Sequence, residues 1–397
     1  MLLEKLRVTP NARITISASP SPSPYLLASP SVSDSLPSPL SGRGILTLSG
    51  RHAIWNALKV LSSAPEHNVL MPSYHCGSQV TPMKRYPVQI KFYRVLRSLE
   101  IDLDHLVQTI DHKTKAVLVT HYFGFPQDID AVLGLCKERG LYLIEDCAHS
   151  LYGTRNGRWL GTSGDLGVFS LRKTLPLPDG GALLINNPAL RFTGSLVRPP
   201  LDAYLGGVKE LLQIYARSHL GGVDVAEFWA VKRTIEGIKR YRKRMTGIEY
   251  SLGGESFEPV TGEYEASWIT KALLKRVRGE EVMRRRRQNY LFLLEHLDGM
   301  EGASPVRRDL PEGVCPLYFP LRVPDSTEYG RCLKASGIEA IPFWSHRGSL
   351  LRPDLFEDTL SLKKTVLALP IHQDLTPRHV RKIADALREV LSHRASK

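Results

Sequence analysis

From Gly44 onward, short apolar runs alternate with stretches of helical period, and this alternation limits the chain to few architectures. Ile45–Leu48 is a compact apolar run, and Ser49-Gly50-Arg51 then opens a helix whose Ile54, Leu58 and Leu61 share one face. Asn68–Met71 and Val88–Tyr93 read as strands, and Leu103–Ile110 as a helix. Ala116–Thr120 is a buried strand, Ile129–Lys137 a helix ended by Gly140, and Leu141–Ile144 a strand ending at Glu145-Asp146. Gly164 to Ser170 and Ala182–Ile185 are expected to be two further strands. Strands separated by helices of this length need crossover connections, so an α/β fold with a mostly parallel sheet is expected.

The remainder divides around that block. Positions 19–40 are crowded with Ser and Pro. Proline fixes φ and removes donors, so residues 1–43 are expected to form a disordered or polyproline-like tail. The large domain is expected over 44–265, although 196–252 shows only helical patches. A long helix over Ser267–Leu297 should lead into a smaller C-terminal α/β domain, 266–397. Its expected elements are strands Leu317–Val323, Ala340–Trp344 and Thr365–Leu369, and helices near Glu328–Ser336 and Arg378–Leu391.

At 397 residues the chain is long enough for two average domains. No stretch approaches the apolar run that spans a bilayer, and the mixed charges of the first seven residues lead into no apolar signal core. A cytoplasmic protein with no membrane partner is expected. The five cysteines contain no C-x-x-C pair, so neither a zinc site nor a disulfide framework is signalled, and no metal is expected. The formal charge of +13 favours anionic partners, and much of it lies in the basic run from Lys271 to Arg287. No aromatics interleave with these bases, so a solvated helix face or a site for phosphorylated substrates is expected rather than nucleic acid.

In open α/β sheets, ligands bind beyond the carboxyl ends of the strands, which is where Asp146 falls. An acid there is commonly structural, a helix cap or a metal ligand. Its sequel is informative: Asp146-Cys-Ala-His149-Ser150, a Gly-rich segment, then Phe169-Ser170-Leu-Arg172-Lys173. Together with Ser49-Gly50-Arg51, Met71-Pro72-Ser73-Tyr74, His121-Tyr-Phe-Gly124-Phe-Pro126, Gly180-Gly181 and Leu369-Pro370-Ile-His372, these motifs resemble, in order, the DegT-like (DegT/DnrJ/StrS) sugar aminotransferases. The resemblance runs from about Gly44 to Leu391.

It implies a fold-type I pyridoxal 5'-phosphate enzyme, with a seven-stranded type of sheet in the large domain and active sites at a homodimer interface. Lys173 matches the Schiff-base lysine, and it is the only lysine between Lys137 and Lys209. Asp146 matches the residue that holds the pyridine nitrogen, since a nearby carboxylate favours the protonated ring. His149 matches a residue near the ring's phenolic oxygen. Gly50, Arg51 and Ser170 match phosphate contacts at a helix N-terminus. Cys76 stands where the family often has the aromatic that stacks on the ring, so either Tyr74 or His75 takes over or the stacking is lost. The family's Gly-x-Asn-x-Arg segment, lent by the partner subunit, is not recognisable, and acids occupy Gly262-Glu263-Tyr264-Glu265.

The function so implied is transamination from an amino acid, such as glutamate, to a keto-sugar that is often nucleotide-linked, in cell-surface polysaccharide or secondary-metabolite biosynthesis. Two other readings stand beside it. One is a dehydratase on the same scaffold, whose family members replace the lysine by histidine. The other is a non-catalytic regulatory relative.

Overall fold

The computed structural model describes residues 15–22, 39–219, 257–345 and 356–395, with isolated positions between 233 and 245. The alternation in the sequence becomes strands β1 (Ile45–Thr47), β2 (Asn68–Pro72), β3 (Gln89–Tyr93), β4 (Thr114–Thr120) and β5 (Tyr142–Asp146). A short ribbon, β6 (Thr154–Arg155) with β7 (Arg158–Trp159), precedes β8 (Leu166–Ser170) and β9 (Gly181–Ile185). The large sheet has the order β1-β9-β8-β5-β4-β2-β3. Strands β8, β5, β4, β2 and β3 run parallel, and β9 is antiparallel to both of its neighbours. The residues of β2 are all buried, as a sheet covered on both faces requires.

The strand order reverses between β2 and β4: the chain steps outward from β2 to β3, then returns to β4 on the other side of β2. Such a switch point leaves a crevice at the carboxyl ends of the two strands, because their following connections diverge. The helix after β2, Gly77–Arg85, was not evident from periodicity because Pro82 interrupts it and its apolar residues are few. It supplies one wall of that crevice.

The second sheet contains β10 (Ser304–Pro305), β11 (Tyr318–Arg322), β12 (Ile341–Pro342) and β13 (Val366–Pro370), all antiparallel, in the order β10-β11-β13-β12. The strand expected over Ala340–Trp344 pairs for only two residues, because Trp344 adopts a left-handed φ of 52° that turns the chain away. A single apolar cluster joins the two sheets, with Tyr74, Val117 and Val119 on one side and Phe319, Leu321 and Leu369 on the other.

Three expectations are corrected. The single helix over Ser267–Leu297 is two, Trp268–Leu274 and Gly279–Leu297. The break brings Gly279 against the Tyr152 ring, where an added Cβ would lie 2.6 Å from a ring carbon. Residues 15–22 do not form a free tail: Ile16 pairs with the backbone at Gly337 and Glu339, and Ser17 and Ile16 are buried. The rest of the expected tail, 1–14 and 23–38, lies outside the described residues, as does most of 220–256. The basic run, finally, is not simply a solvated face. Arg284 and Arg285 pair with Glu281, Arg287 donates to the carbonyls of Pro311 and Val314, and Arg286 is only 1% exposed. No helix among the described residues is long and apolar enough to cross a membrane.

Candidate active site

A cavity of about 220 Å³ opens at the carboxyl ends of the central strands, and Asp146 and Lys173 both line it. Asp146 ends β5 and is 2% exposed. Its Oδ1 accepts the Ala148 N–H at 2.9 Å, and its Oδ2 accepts the Gln79 side-chain N–H at 2.5 Å. Gln79 also donates to Thr120 Oγ1 at 3.0 Å, and its own carbonyl accepts the Cys76 N–H at 3.1 Å. One amide thus ties together the ends of β4 and β5 and the start of the helix after β2. A buried carboxylate held by two donors keeps its orientation.

Lys173 sits in the four-residue turn Leu171–Thr174, which directly follows β8. Its Nζ lies 3.1 Å from His149 Nε2. The other ring nitrogen of His149, Nδ1, accepts the Phe123 N–H at 3.3 Å. Burial, and then the charge of Lys173, push the His149 pKa well below its ordinary value, so the imidazole is neutral. His149 packs at 5.3 Å from the Trp344 ring and 5.5 Å from that of Phe343. It stands behind the lysine rather than in the cavity wall.

Opposite lies the N-terminus of the helix Gly50–Val60. Gly50, Arg51 and Ser170 line the cavity together. The backbone must approach closely here. An added Cβ on Gly50 would stand 3.2 Å from Ser170 Cβ, and one on Gly181 would stand 2.2 Å from the Ser49 carbonyl carbon. The first turn of this helix holds no acid, so its partial positive charge faces the cavity uncompensated. Arg51 is buried, and burial lowers its pKa, opposed by Cys76 and reinforced by the charge of Arg172. Arg172 also lines the cavity and pairs with Glu210 at 2.5 Å.

Besides His149, two more expected residues, Tyr74 and His75, are not brought into the cavity. The Tyr74 hydroxyl donates to the Phe343 carbonyl at 2.9 Å, and its ring packs against Tyr122 and Trp344. His75 stacks on Phe92 at 4.9 Å, and burial lowers its pKa to about 4. Both side chains turn into the core because the chain bends at Ser73, whose N–H donates to the Tyr93 carbonyl at the end of β3. Cys76 is the residue of this segment that lines the cavity. Tyr122 donates to the Tyr74 carbonyl, and His121 contacts Glu145, so both support the site from behind.

Sequence reasoning missed Gln79, Arg172, Ser19 and Tyr318, all of which line the cavity. Arg172 could have been found beside Lys173. Ser19 lay in a segment whose composition argued against order. The acids at Glu263 and Glu265 pair with Lys59 and Lys271 of the same chain.

Comparison with known proteins agrees with this geometry. Residues 41–198 match the profile of the DegT/DnrJ/EryC1/StrS aminotransferase family. GDP-perosamine synthase of Vibrio cholerae is 28% identical over 239 residues, which cover 57% of this chain and 63% of that protein. A dTDP-4-dehydro-2,3,6-trideoxy-D-glucose 4-aminotransferase of Saccharopolyspora spinosa is 34% identical over 145 residues, 36% of this chain and 38% of that one. The chain therefore matches less than two thirds of the length of either relative. Among solved structures, the aminotransferase TlmJ of Streptoalloteichus hindustanus superposes with a TM-score of 0.59 at 22% identity, over 88% of this chain and 86% of that one. The fold is thus the one found in aminotransferases. The span 41–198, which is similar to the DegT/DnrJ/EryC1/StrS aminotransferase family, contains every strand of the seven-stranded sheet as well as Asp146 and Lys173.

Proposed function

We propose that this chain is a pyridoxal-phosphate-dependent aminotransferase that moves an amino group from an amino acid, such as glutamate, to a keto-sugar, with Lys173, Asp146 and His149 as its catalytic residues. The observation that carries the reading is that an amine and a held carboxylate, 27 positions apart in the chain, line one cavity beside a helix N-terminus. The donor set fits the cofactor: a carboxylate for a ring nitrogen, a primary amine for an aldehyde, and backbone N–H groups with a hydroxyl for a phosphate.

When bound, the cofactor supplies an electron sink for charge that develops on the substrate carbon next to the nitrogen. The chain's own residues do the rest. Asp146, oriented by Gln79 and the Ala148 N–H, would hold the cofactor by its ring nitrogen. Lys173 would anchor the cofactor, and its Nζ is the group placed to take up and return a proton at the substrate carbon. Neutral His149 orients that amine without competing for positive charge. Gly50, Arg51 and Ser170, which line the cavity together, would hold the phosphate. An acceptor linked to a nucleotide is supported by the names of the relatives; a homodimer in the cytoplasm, and a place in polysaccharide or secondary-metabolite biosynthesis, belong to the same reading.

The test is direct. Purified protein incubated with the cofactor should absorb in the visible, and borohydride should fix the label on the peptide that contains Lys173. Glutamate with a nucleotide-linked keto-sugar should then give an amino-sugar. A label on Lys363 instead, or none at all, would overturn the reading. Lys363 is the discriminating alternative, because burial lowers its pKa to about 8.

A further inference from the structure

The loop after β13 runs His372-Gln373-Asp374, and its side chains serve two different parts of the cavity. Gln373 faces the lysine turn. Its N–H donates to the Thr174 carbonyl at 3.2 Å, and its carbonyl accepts Arg286 Nε–H at 2.9 Å. Arg286 donates to the same Thr174 carbonyl at 3.0 Å and to the Leu317 carbonyl at 2.7 Å. Thr174 follows Lys173 directly and ends its turn, so two donors fix the backbone from which the amine projects.

His372 and Asp374 face the N-terminal segment. His372 Nε2 donates to the Ser17 carbonyl at 3.1 Å, and Asp374 Oδ2 accepts the Ser21 N–H at 2.9 Å. Glu339 Oε2 accepts the Ser17 hydroxyl at 3.1 Å and the Ala18 N–H at 3.3 Å, while Ile16 is held in a ladder with Gly337 and Glu339. Both ends of this strap are thereby anchored to the second sheet. Between the anchors, Ser19 enters the wall of the cavity that holds Lys173, which Tyr318 also lines.

We propose that His372-Gln373-Asp374 is a clip with two separable effects: Gln373, with Arg286, positions the Lys173 amine, and His372 with Asp374 holds Ser19 as a specificity-determining contact for the acceptor. The proposal rests on the aminotransferase reading and adds the acceptor's chemistry. Ser19 and Tyr318 present two neutral hydroxyls, which suit the hydroxyl groups of a sugar ring rather than a carboxylate. Gln373 and Arg286 touch neither substrate nor cofactor and act through the turn, so they are positioning residues.

The experiment compares Gln373→Met with Ser19→Ala, using glutamate as donor and a panel of nucleotide-linked 4-keto-sugars as acceptors. Gln373→Met should lower kcat about tenfold with an acceptor KM within about twofold, and should lower the fraction of Lys173 fixed by borohydride, as expected for a misplaced amine. Ser19→Ala should raise the acceptor KM about fivefold with little change in kcat, the effect of one lost hydrogen bond. A merely structural clip would move the melting temperature in both variants and neither of these ratios. Label on Lys173 and turnover in the unaltered chain, with unchanged values in both variants, would overturn the clip alone. No label or no turnover in the unaltered chain would overturn the aminotransferase reading, and the clip with it.

Discussion

Gln79 Nε2 stands 2.5 Å from Asp146 Oδ2, so the carboxylate that we propose for a ring nitrogen is aimed by a side chain from a different crossover. The same amide nitrogen reaches Thr120 at 3.0 Å. Replacing Gln79 with Met leaves Asp146 buried with one donor fewer. A hydrogen bond to a charged group contributes about 1.5–3 kcal/mol, so the cofactor should bind roughly 10- to 100-fold more weakly. Asp146→Ala should abolish binding at the same concentrations. Titration of the visible band measures both, and a Gln79→Met protein that binds as tightly as the unaltered chain would refute this support.

Three buried histidines make the fold acid-sensitive. Burial lowers the pKa of His52 to about 3 and that of His75 to about 4, and takes His149 well below its ordinary value. All three are neutral when folded and titrate near 6.5 when unfolded. Below 6.5 the unfolded chain therefore binds more protons, so their contribution is complete above that pH and declines as acid is added. Each group contributes a slope of about 1.4 kcal/mol per pH unit, and three together about 4. Carboxylates titrate lower, which leaves the window between pH 6.5 and 5 to the histidines. Urea unfolding across that window should show the slope, and His75→Gln should reduce it by about one third. A flat profile would contradict the burial argument.

The larger sheet was legible because its period-two and helical-period segments are long, and every connection forces a crossover. Asp146 was legible for the same reason: an acid that ends a buried strand has one place to go. Tyr74 and His75 were misread because motif position gives a residue's place along the chain but not the side on which its side chain emerges. That side is set by the turn at Ser73, whose backbone partner Tyr93 is distant in sequence. Ser19 was missed for a related reason. Proline prevents a segment from forming its own ladder, yet Ile16 borrows one from Gly337 and Glu339, and composition carries no trace of that pairing.

Cys76 should report occupancy of the cavity. It is the only half-buried thiol among the five, and it lines the cavity with Asp146 and Gln79. The other four are buried, and burial raises the pKa of Cys136 to about 12 and that of Cys315 to about 11, which leaves them as unreactive thiols. Iodoacetamide should label Cys76 at least about tenfold faster than these four, because only a reachable thiolate reacts. Pyridoxal phosphate should suppress that labelling, and pyridoxine should suppress it less. Equal rates with and without the cofactor would show that Cys76 lies outside the occupied volume.

Glu145, next to Asp146 in β5, has the opposite role. His121, Glu145 and Cys147 bring three potential ligand atoms within 4.8 Å of one another, an arrangement that on its own could hold a metal ion. The carboxylate of Glu145 is nevertheless fully engaged by the chain: it accepts the N–H groups of Gly161 at 3.0 Å, Ser163 at 2.8 Å and Gly164 at 2.6 Å, and contacts His121 at 3.0 Å. Burial raises its pKa, but His121 and the backbone donors outweigh this, and the net shift is downward. A buried charge held this way ties the loop 161–164 to β5, next to the carboxylate of the site. Glu145→Gln would turn an amide N–H toward backbone N–H groups and remove the charge they solvate. Loss of one partner in such an arrangement costs about 3–5 kcal/mol, so the variant should melt far lower than the unaltered chain. Chelators should leave the unaltered protein's melting temperature unmoved. A large fall on adding EDTA would instead assign the cluster to a metal.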